Sequence, residues 1–180
     1  KNENALIEWL VLKNDGSKAL LISKYALDCQ QYNTSDRNVT WETCTLRKWL
    51  NGSFINSAFS VDEQKQILST TVTPDYSTDP GNNTKDRVFL LSIAEAEKYF
   101  GSDSTRQCQG TVYCYAQGAY KARNGNCWWW LRSLSSPHSF NFDNRYAFYV
   151  FSHGKVSREG SSADYDRIAV RPALWIDLGS

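Results

Sequence analysis

The chain has 180 residues, 41% of them hydrophobic, enough for one well-buried domain and short for two. Its 20 Lys and Arg against 19 Asp and Glu leave a net charge of +1, and the signs are interspersed. That excludes the electrostatic footprint of a nucleic-acid binder and a polybasic run for a membrane surface. No apolar stretch approaches the ~20 residues of a spanning helix, so membrane insertion is not expected.

The N-terminus, KNENALIEWL, lacks the shape of a signal peptide, and a strand starts so soon after it that the chain reads as a trimmed piece. An opening hairpin comes first: residues 5–12 and 18–23 are apolar, strand-like runs around the turn signal Asn14-Asp15-Gly16-Ser17. Residues 28–39 are polar and predict a loop. Residues 43–50 predict a short helix that buries Leu46, Trp49 and Leu50 and is stopped by Asn51-Gly52, with Phe54, Ile55 and Phe59 packing after it. Residues 61–68 predict a second helix, capped by Ser60 with Glu63 at the capping-box position.

The next loop, TPDYSTDPGNNTKD, is rich in oxygen ligands, among them Asp75, Asp79 and Asp86. Such a loop is a candidate for calcium, but its spacing matches no helix-loop-helix calcium loop, and a solvated turn is the commoner explanation. Residues 88–91 predict a buried strand. Ser92 then caps a helix with Glu95 three residues on, burying Ile93, Ala96 and Phe100 before Gly101 ends it.

From Gly110 onward, short strands and loops with few helix signals are expected. Trp128, Trp129 and Trp130 are consecutive, so in a strand Trp129 faces away from the other two and at least one face is core. Residues 147–151 and 155–158 flank His153-Gly154 as a hairpin, and 169–176 closes the sheet, with Pro172 marking an edge or bulge. Helices early and strands late argue for an α+β domain.

The five cysteines, Cys29, Cys44, Cys108, Cys114 and Cys127, are an odd number without a Cys-x-x-Cys pair, and the two histidines lack metal-ligand spacing. Buried free thiols are therefore expected, not a disulfide framework or a zinc site. Sequons at Asn33, Asn38, Asn51 and Asn82 matter only on a eukaryotic secretory route.

The segment Leu134 to His153, LSSPHSFNFDNRYAFYVFSH, differs from everything around it. It holds both histidines and six aromatics, mixed with Ser, Asn, Asp, Arg and Pro in no period that would bury them all, which is the composition of a binding paratope. It contains no Lys, Glu, Gln, Trp or Met, types that supply about a sixth of the chain; random draws would omit all of them in about one such window in forty. The fifteen types left are those whose codons end in a pyrimidine, the set produced when the two adenines of an Asn codon are replaced by any base. Extended to Arg167, the window admits only Lys155 and Glu159 as exceptions.

The order VTWETCTLRKWLNGSF, DRVFLLSIAEAEKYF, NGNCWWWLRS, the step Gly154-Lys155-Val156 and finally AVRPALWIDL resembles a domain of unknown function widespread in gut Firmicutes and their phages. That domain is similar to the C-type lectin-fold variable proteins of diversity-generating retroelements. The resemblance runs from about Trp9 to Leu178, and its specific parts, WWLRS and VRPALW, bracket the segment such elements rewrite. It implies one C-type lectin-like domain, short helices followed by a small, mostly antiparallel sheet with long loops, and a variable ligand-binding segment over 134–167.

Carried onto this chain, the variable positions are Leu134, Ser135, Ser136, Pro137, His138, Ser139, Phe140, Asn141, Phe142, Asp143, Asn144, Arg145 and Tyr146, then Phe148, Tyr149, Phe151, Ser152 and His153. Beyond Gly154 they are Ser157, Arg158, Ser161, Ser162, Asp164, Tyr165, Asp166 and Arg167. Ala147, Val150, Gly154, Val156, Gly160 and Val170 are implied to be fixed scaffold. Arg145, Tyr146, Phe148, Tyr149 and Tyr165 are the expected energetic anchors, since aromatic and Arg residues dominate hot spots. Strand side chains alternate, so about half of the 147–151 run should point inward.

The implied function is non-covalent binding of a protein or cell-surface ligand, on a phage particle or bacterial surface. The alternative is a fixed lectin-like carbohydrate-binding module. The chain lacks the Glu-Pro-Asn or Gln-Pro-Asp motif of calcium-dependent sugar binding. An enzyme is not expected. The formylglycine-generating oxidases share the broader fold and use a cysteine pair, but no His flanks Cys108, Cys114 or Cys127 to favour a thiolate. His138, His153, Asp164 and Asp166 lie where catalytic residues would not survive rewriting.

Overall fold

The computed structural model describes residues 6–75, 81–134, 145–157 and 159–179. The opening hairpin forms as expected: β1 (Trp9–Asn14) pairs antiparallel with β2 (Lys18–Ser23). Its turn closes because Asn14 Oδ1 accepts from Gly16 N at 2.8 Å, Asp15 Oδ1 accepts from Lys18 N at 3.1 Å, and Gly16 adopts φ +90°. The polar stretch after it is loop-like apart from the two-residue β3 (Asp28–Cys29), but it is not a surface loop: Tyr32, Asn33 and Val39 are buried.

α1 (Thr45–Trp49) buries Leu46, but Asn51-Gly52 does not stop the helix. The chain continues through a π-helical turn (Leu50–Phe54) into α2 (Ile55–Ala58). Asn51 serves a distant segment instead: its amide donates to Val88 O at 2.8 Å, and its Oδ1 accepts from Arg87 N at 2.8 Å and Val88 N at 3.1 Å. α3 (Val61–Gln66) carries the Ser60/Glu63 capping box, and α4 (Ile93–Tyr99) carries the Ser92/Glu95 box with Ile93, Ala96 and Phe100 buried.

The oxygen-rich loop is flanked by an unexpected hairpin, β4 (Thr70–Val72) with β5 (Thr84–Asp86). Residues 88–91 are buried as expected, but within them only Phe89 forms a bridge, to Ala173. Two one-turn helices, α5 (Asp103–Arg106) and α6 (Val112–Ala116), are also additions, each capped by a hydroxyl, of Ser102 and Thr111.

The late strands are β6 (Trp129–Leu134), β7 (Tyr146–Val150), β8 (Ser161–Ser162), β9 (Ala169–Val170) and β10 (Ala173–Asp177). The main sheet has the order β3-β9-β6-β7-β8, antiparallel except for the β6–β9 pair; a second has the order β1-β2-β10. The run expected as one closing strand is thus two strands in different sheets, split at Arg171-Pro172, where Pro172 offers only its carbonyl, to Ser23 N at 3.0 Å. The protein is α+β, with short helices and small, mostly antiparallel sheets.

β6 is buried along its whole length. Trp129 and Trp130 are both fully buried, so both faces of this strand are core at that point. Their indole N–H groups donate to Arg106 O at 3.1 Å and Gln30 O at 2.9 Å, which meets the polar requirement of a buried Trp. Arg132, also buried, pairs with Glu95 and donates to Leu90 O at 2.9 Å, while Ser133 Oγ accepts from Ile93 N at 2.9 Å. The WWLRS sequence is therefore a frame that fixes α4 and the 90–91 segment against the main sheet.

Candidate functional site: an aromatic surface on the main sheet

The register of β6 with β7 sets Trp130 opposite Tyr149 and Trp129 opposite Val150. Alternation then puts Trp128, Trp130, Tyr149 and Phe151 on one face, with Trp129, Phe148 and Val150 on the other. On the first face a ladder of rings leads outward. Trp130 and Tyr149 meet edge-on at 6.2 Å, Tyr149 packs on Trp128 at 5.6 Å and on Phe151 at 4.8 Å, and His153 stacks on Phe151 at 5.3 Å. Tyr120 stacks flat on Trp128 at 4.2 Å. Tyr120, Trp128 and Phe151 are half-buried and His153 is exposed, so the ladder begins in the core and ends in solvent.

The turn that carries its outer end is held from below. Phe151 N donates to Lys155 O at 2.9 Å and Gly154 N to Phe151 O at 2.8 Å, as the hairpin expectation required. Asn126 Nδ2 donates to Ser152 O at 3.0 Å, Gln107 Nε2 to His153 O at 3.3 Å and Arg106 Nε to Gly154 O at 2.9 Å.

Beside the ladder, β8 and the loop to Arg167 form a polar rim. Arg145 O accepts from Ala163 N, Asn33 N donates to Ala163 O at 2.8 Å, and the Ser162 hydroxyl donates to Asp164. Arg145 pairs with Asp36 at 3.1 Å, both being solvent-facing. A shallow, open cleft of about 620 Å³ adjoins the rim, lined by Cys29, Gln30, Gln31, Gln117, Gly118, Asp166 and Arg167.

The expected variable positions divide three ways. Arg145, Tyr146, Phe151, Ser152, His153, Ser161, Ser162, Asp164, Tyr165, Asp166 and Arg167 are exposed or half-exposed. Leu134, Phe148, Tyr149 and Ser157 are buried, which corrects their assignment to an accessible surface. Leu134 is the last residue of a wholly buried strand, Phe148 is on the face of Trp129, the Ser157 hydroxyl accepts from Gly160 N at 2.9 Å, and burial pushes the Tyr149 pKa up. The two anchors Phe148 and Tyr149 thus support the surface from within. Ser135, Ser136, Pro137, His138, Ser139, Phe140, Asn141, Phe142, Asp143, Asn144 and Arg158 lie outside the described residues.

Of the expected scaffold positions, Ala147, Val150, Gly154, Val156 and Val170 are buried, and Gly160 adopts φ +74°. Two contributors to the surface, Tyr120 and Trp128, were not among the expected positions. The available signal was the spacing of two, since in a strand Trp128 shares the face of Trp130, which the register sets opposite Tyr149.

Two aspartates of the loop that is a candidate for calcium are among the described residues. Asp86 is buried and accepts from Trp41 Nε1 at 2.9 Å, Thr84 Oγ1 at 2.6 Å and Arg47 Nε at 2.6 Å, and Asp75 accepts from Ser133; Asp79 lies outside the described residues. Among the described residues, no group of three or more His, Cys, Asp or Glu is arranged to hold a metal ion. Of the sequons, Asn33 and Asn51 have their side-chain amides committed to internal hydrogen bonds. No helix among the described residues is long and apolar enough to cross a membrane.

The family model of a domain of unknown function, DUF6273, matches residues 16–178. The chain belongs to this family. No curated protein and no solved structure matches it. The matched span of this DUF6273 domain contains both sheets from Gly16 onward, the aromatic ladder and the polar rim, so the surface is set on the family's own scaffold.

Proposed function

We propose that this DUF6273 domain is a ligand-binding display protein with a C-type lectin-like fold, whose C-terminal surface is diversified by retroelement mutagenesis and binds a protein or cell-surface ligand non-covalently. The observation that carries the reading is the ladder Trp130–Tyr149–Trp128–Phe151–His153, which runs from a buried frame into solvent beside a rim of Ser, Asp and Arg. Rigid aromatics give contact area for few frozen torsions, and short polar side chains adapt their hydrogen bonds, as in antibody loops. The α+β arrangement supports the fold assignment, and the absence over 134–153 of the types whose codons end only in a purine supports the mechanism of variation. The setting proposed is a phage particle or a bacterial surface.

The test is the DNA around the gene. The reading expects a near-copy of the segment encoding residues 134–167 and a nearby reverse transcriptase, with differences only where the copy has adenine. Absence of the copy overturns diversification. The half-exposed stack of Tyr120 on Trp128 favours a second reading, a fixed lectin-like module that stacks sugars on aromatic faces. Inhibition by free sugars, or loss of binding on chelation, selects the second over the first.

A further inference from the structure

Beneath the turn that carries Phe151 and His153 lies a pair of thiols that the binding surface does not use. Cys108 and Cys127 are 3% and 0% exposed, and both are free. The antiparallel bridge between Gln109 and Asn126 sets Cys108 directly opposite Cys127, and Cys127 N donates to Cys108 O at 2.8 Å. Directly opposed residues of antiparallel strands have Cα atoms about 4.5–5.5 Å apart, inside the span of about 4.4–6.8 Å that a disulfide bridges. The Cys127 thiol donates to the Cys108 carbonyl at 3.3 Å, and the Cys108 thiol faces the Gln109 and Lys24 carbonyls at 3.3 and 3.6 Å.

The charge beside the pair favours one thiolate. Arg171 is 1% exposed; its guanidinium donates to Ser23 O at 2.9 Å and lies over the rings of Phe100 and Trp129, at 5.1 and 5.0 Å. Among the described residues no carboxylate forms an ion pair with it, although a buried charge ordinarily requires a counter-charge. Burial works against ionising Cys108, but the neighbouring Cys127 thiol and Arg171 outweigh it and bring its pKa down. Cys127 moves the other way, held protonated by the Cys108 sulfur beside it and by burial. One sulfur is thus poised as nucleophile and the other as resolving thiol.

We propose that Cys108 and Cys127 are an oxidation site at which hydrogen peroxide closes a reversible disulfide beneath the aromatic surface. The Cys108 thiolate attacks one peroxide oxygen; the O–O bond breaks, giving the Cys108 sulfenic acid and a hydroxide that is protonated to water. The Cys127 sulfur then attacks the sulfenic sulfur and the S–O bond breaks, the departing hydroxyl taking the Cys127 proton as a second water. Two thiols and one peroxide become one disulfide and two waters, and the electrons of the new S–S bond balance the reduced O–O bond. A water-sized oxidant suits a pair this buried better than a bulky disulfide.

The crosslink joins the two segments that support the turn. Arg106 and Gln107, just before Cys108, hold the carbonyls of Gly154 and His153, and Asn126, just before Cys127, holds that of Ser152. Trp128, which carries the ladder, follows Cys127 directly. The chemistry is independent of whether the surface binds a ligand.

The experiment treats the folded full chain with hydrogen peroxide, quenches it, denatures it and alkylates the remaining thiols for mass analysis. The expected result is three alkylated cysteines where the reduced chain of five shows five, with a tryptic crosslink between the peptides 107–121 and 124–132. Fragmentation should place the bond at Cys108 and not Cys114, and dithiothreitol should restore five alkylations. Five alkylated thiols after treatment, a crosslink through any other pair, or sulfinic acid at Cys108 without a crosslink overturns the proposal. The wild-type chain suffices, so no variant needs to fold.

Discussion

Gly154 packs so tightly on Asp103 that a Cβ added to it would lie 1.6 Å from the Asp103 carbonyl oxygen. The turn bearing His153 therefore rests on α5 without room for any side chain, and its φ of +90° independently favours glycine.

Gly154→Ala should for both reasons destabilise the domain by ~2 kcal/mol or more in chemical denaturation. Gly52→Ala is the control. Gly52 is in the π-helical turn, and nothing lies within 4 Å of where its Cβ would be. That change should be neutral or stabilise by up to ~1 kcal/mol. Equal effects at the two sites would contradict the packing described.

Asp86 is the acceptor on which Trp41, Thr84 and Arg47 converge, and its side chain is fully buried in the pair with Arg47. Asp86→Asn leaves that guanidinium without its counter-charge and should cost about 2–3 kcal/mol. Asp62, in an exposed pair with Lys65, is the comparison; Asp62→Asn should change stability by ~0.5 kcal/mol or less. A mild effect at Asp86 would mean that the residue is solvated, as the loop's composition first implied.

Asp28 carries a pH signature. Burial raises its pKa, and the hydrogen bonds from Cys29 N and the Gln30 amide only partly offset that. An acid with a raised folded-state pKa binds more protons folded than unfolded, so its contribution to stability falls as pH rises from the ordinary Asp range through the folded value. Asp28→Asn does not titrate. Its stability relative to wild type, measured by urea unfolding, should therefore increase between about pH 4 and pH 7. A difference that stays flat or declines over that range would contradict burial as the dominant influence.

What could be read from the sequence was mostly local. The capping boxes at Ser60 and Ser92 and the Asn14–Ser17 turn depend on residues a few positions apart, and all three formed. What failed depended on distant partners. Asn51 looked like a helix stop, but residues 87–88 claim its side chain, and the helix widens past it. The stretch 28–39 looked solvated, but Tyr32 is buried and donates to Arg132 O at 2.8 Å, a hundred residues away. Of the candidate surface, the aromatic content of 134–153 was legible, but the direction of each ring was not: inward-facing Phe148 and Tyr149 have the same composition as outward-facing Tyr146. Trp128 was hidden by its neighbours, since three consecutive Trp residues give no period.

A rigid frame that supports a surface on whose identity it does not depend should tolerate changes at that surface, and thermal unfolding of two sets of variants tests this most directly. Replacing Tyr146, His153, Ser161, Asp166 and Arg167 together with residues of other character should move Tm by only ~3 °C, because none of these side chains is buried. Trp130→Ala, at a fully buried ring that donates to Gln30 O, should cost about 3–5 kcal/mol. If the five surface changes unfold the domain as severely as the single frame change, surface and frame are not separable, and the display reading fails with them.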